Sequence, residues 1–144
     1  MGKFIQKDDA KQLGNVHHDL LRIINAVVAK ADFDCIVVYG YRTPEEQAAL
    51  YAIGRTKPGS IVTNCDGKKV KSQHNYLPSF AVDIAPAEIV ATGKWKETPD
   101  ILQKFYQLGL MAEAEAKRLG IKDYRWGGRF SFKDRPHHEL NRRV

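Results

Sequence analysis

The segment Ser79–Ala85, read as SFAVDIA, is the strongest constraint in the chain, because after Ser79 it is apolar except for Asp83. A continuous β-branched and aromatic run of this length reads as a strand buried on both faces. A buried carboxylate without a partner costs several kcal/mol, so Asp83 must meet a cation or a metal. The fold therefore has to cover this strand and bring a counter-charge to its middle. With 144 residues, 43% of them hydrophobic, the chain has enough apolar material for one domain spanning 1–144.

The other elements follow from local signals. Apolar residues at Val16, Leu20, Ile24, Val27 and Val28 keep a helical period from Asn15 to about Lys30, with Asn15 as the expected N-cap. CIVVY, at 35–39, reads as a short buried strand. Thr43-Pro44-Glu45-Glu46 combines an N-cap, a proline at the first helical position and a capping-box glutamate, so a helix starts there and runs to about Ala52. In the turn-rich stretch 54–71, Ile61-Val62-Thr63 is a possible short strand and Asp66 a turn residue. Thr98-Pro99 opens a second capped helix whose stripe is Ile101, Phe105, Leu108, Ala112, Ala116 and Leu119, ended by Gly120. Tyr124–Trp126 and Pro136–Leu140 are late strands. Helices and strands mix without βαβ alternation, which predicts an α+β fold with a small, mainly antiparallel sheet packed by helices.

Several function classes are disfavoured. Cys35 and Cys65 are too far apart for a zinc ribbon, and Cys35 reads as a small core hydrophobe. The N-terminal MGKFIQKDDAKQ has neither an apolar core nor a small-residue cleavage site, and no stretch approaches the roughly 18 apolar residues of a membrane span, so synthesis in the cytoplasm without stable membrane association is expected. The net charge of +6 favours acidic polymers. The cations are dispersed rather than interleaved with aromatics, which argues against nucleic acid.

Asp83 has candidate companions in His74 and in the cluster Asp134, His137, His138 and Glu139. A catalytic zinc site uses three protein ligands and one open position, and a further carboxylate must move the proton of the attacking water. Two histidines, one aspartate and one extra acid match that need in kind. If 136–140 is a strand, His137 and Glu139 share one face and His138 takes the other, and parity alone does not choose between the histidines. His17 and His18 read as surface residues.

In this order, GYRTPEEQ, GRTKPGSIVT, SQH followed by AVD, WGGRF and DRPHHEL resemble the LAS group of zinc peptidases. That group includes D-Ala-D-Ala carboxypeptidases, dipeptidases, phage L-alanyl-D-glutamate endopeptidases and the hedgehog domain; the likeness is greatest to small phage endolysins. The resemblance implies a hedgehog-like fold, Zn²⁺ held by His74, Asp83 and His137, Asp134 as general base and acid, Arg42 steadying the substrate carbonyl, and Ser72 supporting the site. It further implies a monomer that cuts bacterial peptidoglycan between L-alanine and D-glutamate after the membrane is opened. Its alternatives are a D-Ala-D-Ala carboxypeptidase or dipeptidase and a non-catalytic, zinc-containing wall-binding module. Gln47 and Arg55 fall in motif positions without an assigned role. One departure stands out: His74 and Asp83 are nine positions apart where the family pattern has seven. A small bulge or turn around Leu77-Pro78 is expected to absorb the difference, and an even insertion keeps strand parity.

Overall fold

The computed structural model describes residues 1–143. Helices α1 (Asp9–Leu13), α2 (His18–Lys30), α3 (Pro44–Ala52) and α4 (Pro99–Leu119) accompany strands β1 (Cys35–Tyr39), β2 (Ala81–Pro86), β3 (Tyr124–Trp126) and β4 (His137–Leu140). The strands form one sheet in the order β1-β2-β4-β3, and every ladder is antiparallel. The α+β expectation holds.

Alternation along the central strands separates two faces of this sheet. Val82 and Ile84 of β2 and Leu140 of β4 join Leu20, Ile23, Ile24, Val27 and Val28 of α2 and Leu108, Ala112 and Ala116 of α4 in the main core. Asp83, His137, Glu139 and Arg125 turn the other way, into a cleft. Ile36, Ala85, Ile89, Ile101 and Phe105 make a smaller apolar cluster where the start of α4 passes. The sheet is thus insulated by helices on one side and chemically equipped on the other.

The caps of α3 and α4 form as the sequence predicts. Thr43 Oγ1 and Glu46 exchange reciprocal bonds, Thr98 Oγ1 accepts from Ile101 N–H, and Gly120 adopts φ +73° to end α4. Helix α2 begins later than expected, with His17 and not Asn15 as its N-cap: His17 Nδ1 accepts from Asp19 N–H at 3.1 Å. The reason is tertiary. Residues 15–17 are drawn into an extended bridge with Ser79, whose N–H donates to Asn15 O and whose carbonyl accepts from His17 N–H.

Ile61-Val62-Thr63 is no strand in the structure. The segment stays a loop because Arg55 pins it, donating to Thr63 O and Asn64 Oδ1, which keeps it off the sheet. Asp66 is the expected turn residue: Oδ1 accepts from the N–H groups of Lys68, Lys69 and Val70. Helix α1 has no counterpart among the elements expected from sequence. It buries Asp9, which accepts from Val37 N–H on the outer edge of β1 and so satisfies a donor the sheet leaves over.

Candidate metal centre

Register places the first two candidate ligands. Asp83 of β2 stands directly opposite His137 of β4, and the next pair, Val82 and His138, faces the core. Register therefore puts His137, and not His138, beside Asp83. His137 Nδ1 lies 3.0 Å from Asp83 Oδ1, whereas His138 is buried against Tyr124, with Nδ1 accepting from Tyr124 Oη–H at 2.6 Å. Burial pushes the His138 imidazole down to about 3, so it stays neutral.

His74 arrives from outside the sheet. It sits in a single 3-10 turn, Gln73–Asn75, capped by Ser72, whose Oγ accepts from His74 N–H at 3.2 Å while Asn75 Oδ1 accepts from Ser72 N–H. The residues after the turn, including Leu77-Pro78, bend before β2 begins at Ala81, so the longer spacing is spent in a turn as expected. Strand parity does not govern this spacing, however, because His74 lies in the turn and not on β2.

The three residues converge: one ligand atom from each of His74, Asp83 and His137 lies within 4.8 Å of the other two. His74 Nδ1–H donates to Gly40 O at 2.7 Å, so the lone pair belongs to Nε2. That nitrogen is buried and has no hydrogen-bond partner; it lies 3.3 Å from Asp83 Oδ1. A buried acceptor left open beside a carboxylate and a second imidazole fits a metal ion, and two nitrogens plus one carboxylate oxygen suit zinc. His137 is turned in a matching way. Its Nε2 meets Glu139 Oε1 at 2.7 Å, and Glu139 is held from behind by Arg125 at 2.8 Å, which leaves His137 Nδ1 toward Asp83.

The electrostatics agree. Burial alone would raise the Asp83 carboxyl, but His74 and His137 beside it hold it well below the usual carboxylate range. Burial works against a charged His137, yet its bonds to Asp83 and Glu139 outweigh that and raise it to about 10. Both shifts describe a place that demands positive charge, and a metal can supply it in exchange for the proton.

Asp134 lies at the exposed rim, its Oδ2 3.9 Å from His137 Nδ1. Crowding by the protein and then the charge of Asp83 raise its carboxyl above the ordinary value. A glycine holds this rim in place. A side chain at Gly127 would come within 2.1 Å of Asp134 O, and the close approach lets Gly127 O accept from Asp134 N–H at 2.9 Å.

Arg42 is buried and pairs with no glutamate of α3. Its Nη2 donates to Asp83 Oδ2 at 3.3 Å, its Nη1 to Gln47 Oε1 at 3.1 Å, and its guanidinium lies 4.1 Å from the Tyr39 ring centre. Gln47 in turn donates to Thr63 Oγ1 and Cys65 O, tying Arg42 to the loop above the cleft. The sequence offers Gln47 only as a motif position and Glu139 only as the face-mate of His137, and gives neither a role. The i, i+2 spacing of His137 and Glu139 is the available signal. A second His/Asp group, His17-His18-Asp19, differs in kind, because Asp19 is already paired with Arg142 and His17 Nδ1 caps α2.

Arg42, His74, Asp83, Asp134, His137 and Glu139 all line a cleft of about 540 Å³, so the centre is open to a ligand.

A family model described as phage L-alanyl-D-glutamate peptidase matches residues 1–144. The chain is 36% identical over 118 residues to the peptidoglycan L-alanyl-D-glutamate endopeptidase CwlK of Bacillus subtilis. That match covers 81% of this chain and 66% of CwlK, so the chain spans just under two thirds of that relative. The crystal structure of Serratia marcescens L-Ala D-Glu endopeptidase ChiX superposes with a TM-score of 0.67 over 95% of this chain and 89% of ChiX, at 24% identity, a likeness of fold.

Proposed function

Because the chain belongs to the phage L-alanyl-D-glutamate peptidase family, we propose that it is a zinc-dependent endopeptidase that cuts peptidoglycan stem peptides between L-alanine and D-glutamate. The observation that carries this reading is the open, buried Nε2 of His74 beside Asp83 and His137, at the floor of a cleft with Asp134 on its rim. Residues 1–144 act as one catalytic domain in this reading, on a wall reached once the membrane has been opened, and the outcome is lysis.

Zinc held by His74 Nε2, Asp83 and His137 Nδ1 would polarise the scissile carbonyl and acidify a water. Asp134 takes the proton of the attacking water on its carboxylate. As the water oxygen joins the carbonyl carbon and the C–N bond breaks, Asp134 returns that proton to the departing D-glutamate nitrogen. A carboxyl group at the rim of the cleft can take a proton and give it back in the two halves of this cycle. Arg42, fixed between Asp83 and Gln47, presents a pre-oriented positive charge to the carbonyl oxygen as it becomes negative. Glu139, braced by Arg125, fixes the His137 ring, and Ser72 caps the turn that aims His74 while facing the cleft where substrate binds.

The test is a digest of purified peptidoglycan with and without chelator, read by mass spectrometry of the new ends. New L-alanine carboxyl termini and D-glutamate amino termini, lost on chelation and in His137→Ala, are expected. Release of free D-alanine instead, or cleavage that survives both chelation and His137→Ala, overturns the reading.

A further inference from the structure

The cleft is chemically lopsided. The cleft that holds the metal centre also carries Lys71 and Arg143 on its wall. The acids there are already engaged: Asp83 with Arg42, Glu139 with Arg125, Asp134 near His137. Among the described residues no carboxylate is paired with Lys71 or Arg143, and the Lys71 ammonium rests only over the Tyr76 ring, at 5.2 Å. Beyond Asp134 the cleft opens into a second basin of about 590 Å³ that shares Val62, Phe130 and Phe132 with the first and adds Ile61. Ile61, Val62 and Phe132 are 53%, 52% and 78% exposed. They contribute little to the core, and grouped apolar side chains beside an active cleft mark a surface that a ligand covers.

The substrate of the proposed reaction has the same asymmetry. On the carbonyl side of the bond stands L-alanine, with a methyl group and an acylated, uncharged nitrogen. On the amine side stands D-glutamate, which has two carboxyl groups and needs only one to continue the chain. We infer that the stem peptide lies with its L-alanine side in the Ile61–Val62–Phe132 basin and the spare D-glutamate carboxylate between Lys71 and Arg143. Direction along the cleft is then read by charge at one end and apolar contact at the other. Arg125 borders both basins, but Glu139 already neutralises it. This inference rests on the peptidase reading above.

Its test uses the zinc-loaded full chain and synthetic N-acyl-L-alanyl-D-glutamyl stems in which the spare carboxyl is either a free acid or a primary amide. Amidation removes the negative charge that Lys71 and Arg143 would bind, so the wild type should prefer the acid by about tenfold in kcat/KM. The double variant Lys71→Met/Arg143→Met should lower that ratio about fivefold or more, through KM rather than kcat, and Lys71→Arg with Arg143 intact should retain it. Val62→Ser/Phe132→Ser should raise KM for N-acylated stems several-fold while leaving the acid-to-amide ratio within about twofold. A ratio unmoved by the Lys71/Arg143 change, or one that collapses in the Val62/Phe132 variant instead, overturns the assignment even though the enzyme cleaves. A wild type that cleaves neither stem with zinc present overturns the peptidase reading and this inference with it.

Discussion

Asp83 and His137 are held by strand pairing, whereas His74 and Arg42 are held outside the sheet by a short turn and a few individual hydrogen bonds. The first pair stands opposite each other on β2 and β4, so the same ladder that stabilises the sheet sets their separation. His74 occupies one short turn anchored by Ser72 and Asn75, by the Gly40 carbonyl and by Arg42 N–H, which donates to His74 O at 2.9 Å, and the Arg42 side chain is placed by Gln47 and Asp83. The difference teaches where this centre is robust and where it is adjustable. A longer His74–Asp83 connection is tolerated because it lengthens a turn and leaves the ladder untouched.

The largest effect should come from breaking the ladder side. Asp83→Ala removes a candidate ligand and strands the buried Arg42 guanidinium, so the metal-free protein should lose about 3–5 kcal/mol in urea denaturation, along with metal retention and activity. If His74→Ala costs as much stability without metal, the distinction between the two regions fails. Next is the brace on His137. Glu139→Gln keeps size but gives up the carboxylate between His137 and Arg125, and should weaken zinc about 10- to 100-fold in competition with a chromogenic chelator. The smallest effect belongs to the stitched side. Ser72→Ala should cost about 1 kcal/mol or less by thermal unfolding and lower zinc affinity only slightly, because Asn75 still donates to Arg42 O.

Much of this was legible because some signals are local. The capping box at Thr43–Glu46, the α4 stripe and the apolar run around Asp83 each announce their structure within a few residues, and each formed. The failures share a cause. Asn15 looks like a cap, but Ser79 holds it extended; Ile61-Val62-Thr63 looks like a strand, but Arg55 holds it as a loop. In both places a partner distant in sequence or a single long side chain overrode a weak local preference. Gly127 is a further case: WGGRF is visible as a motif, but its need for a glycine appears only where the Asp134 carbonyl crowds it.

By itself the sequence determined that a carboxylate would be buried at Asp83, that histidines at 74 and 137 or 138 were the available companions, and that helices would pack a small antiparallel sheet. Hydrophobic period and residue chemistry suffice for that much. The motif resemblance implied His137 over His138, but only the tertiary structure put His137 opposite Asp83, opened the Nε2 of His74 toward the centre, and gave Glu139 and Gln47 their hydrogen-bond partners. Those outcomes depend on strand register and on hydrogen bonds between distant segments, which no local pattern encodes.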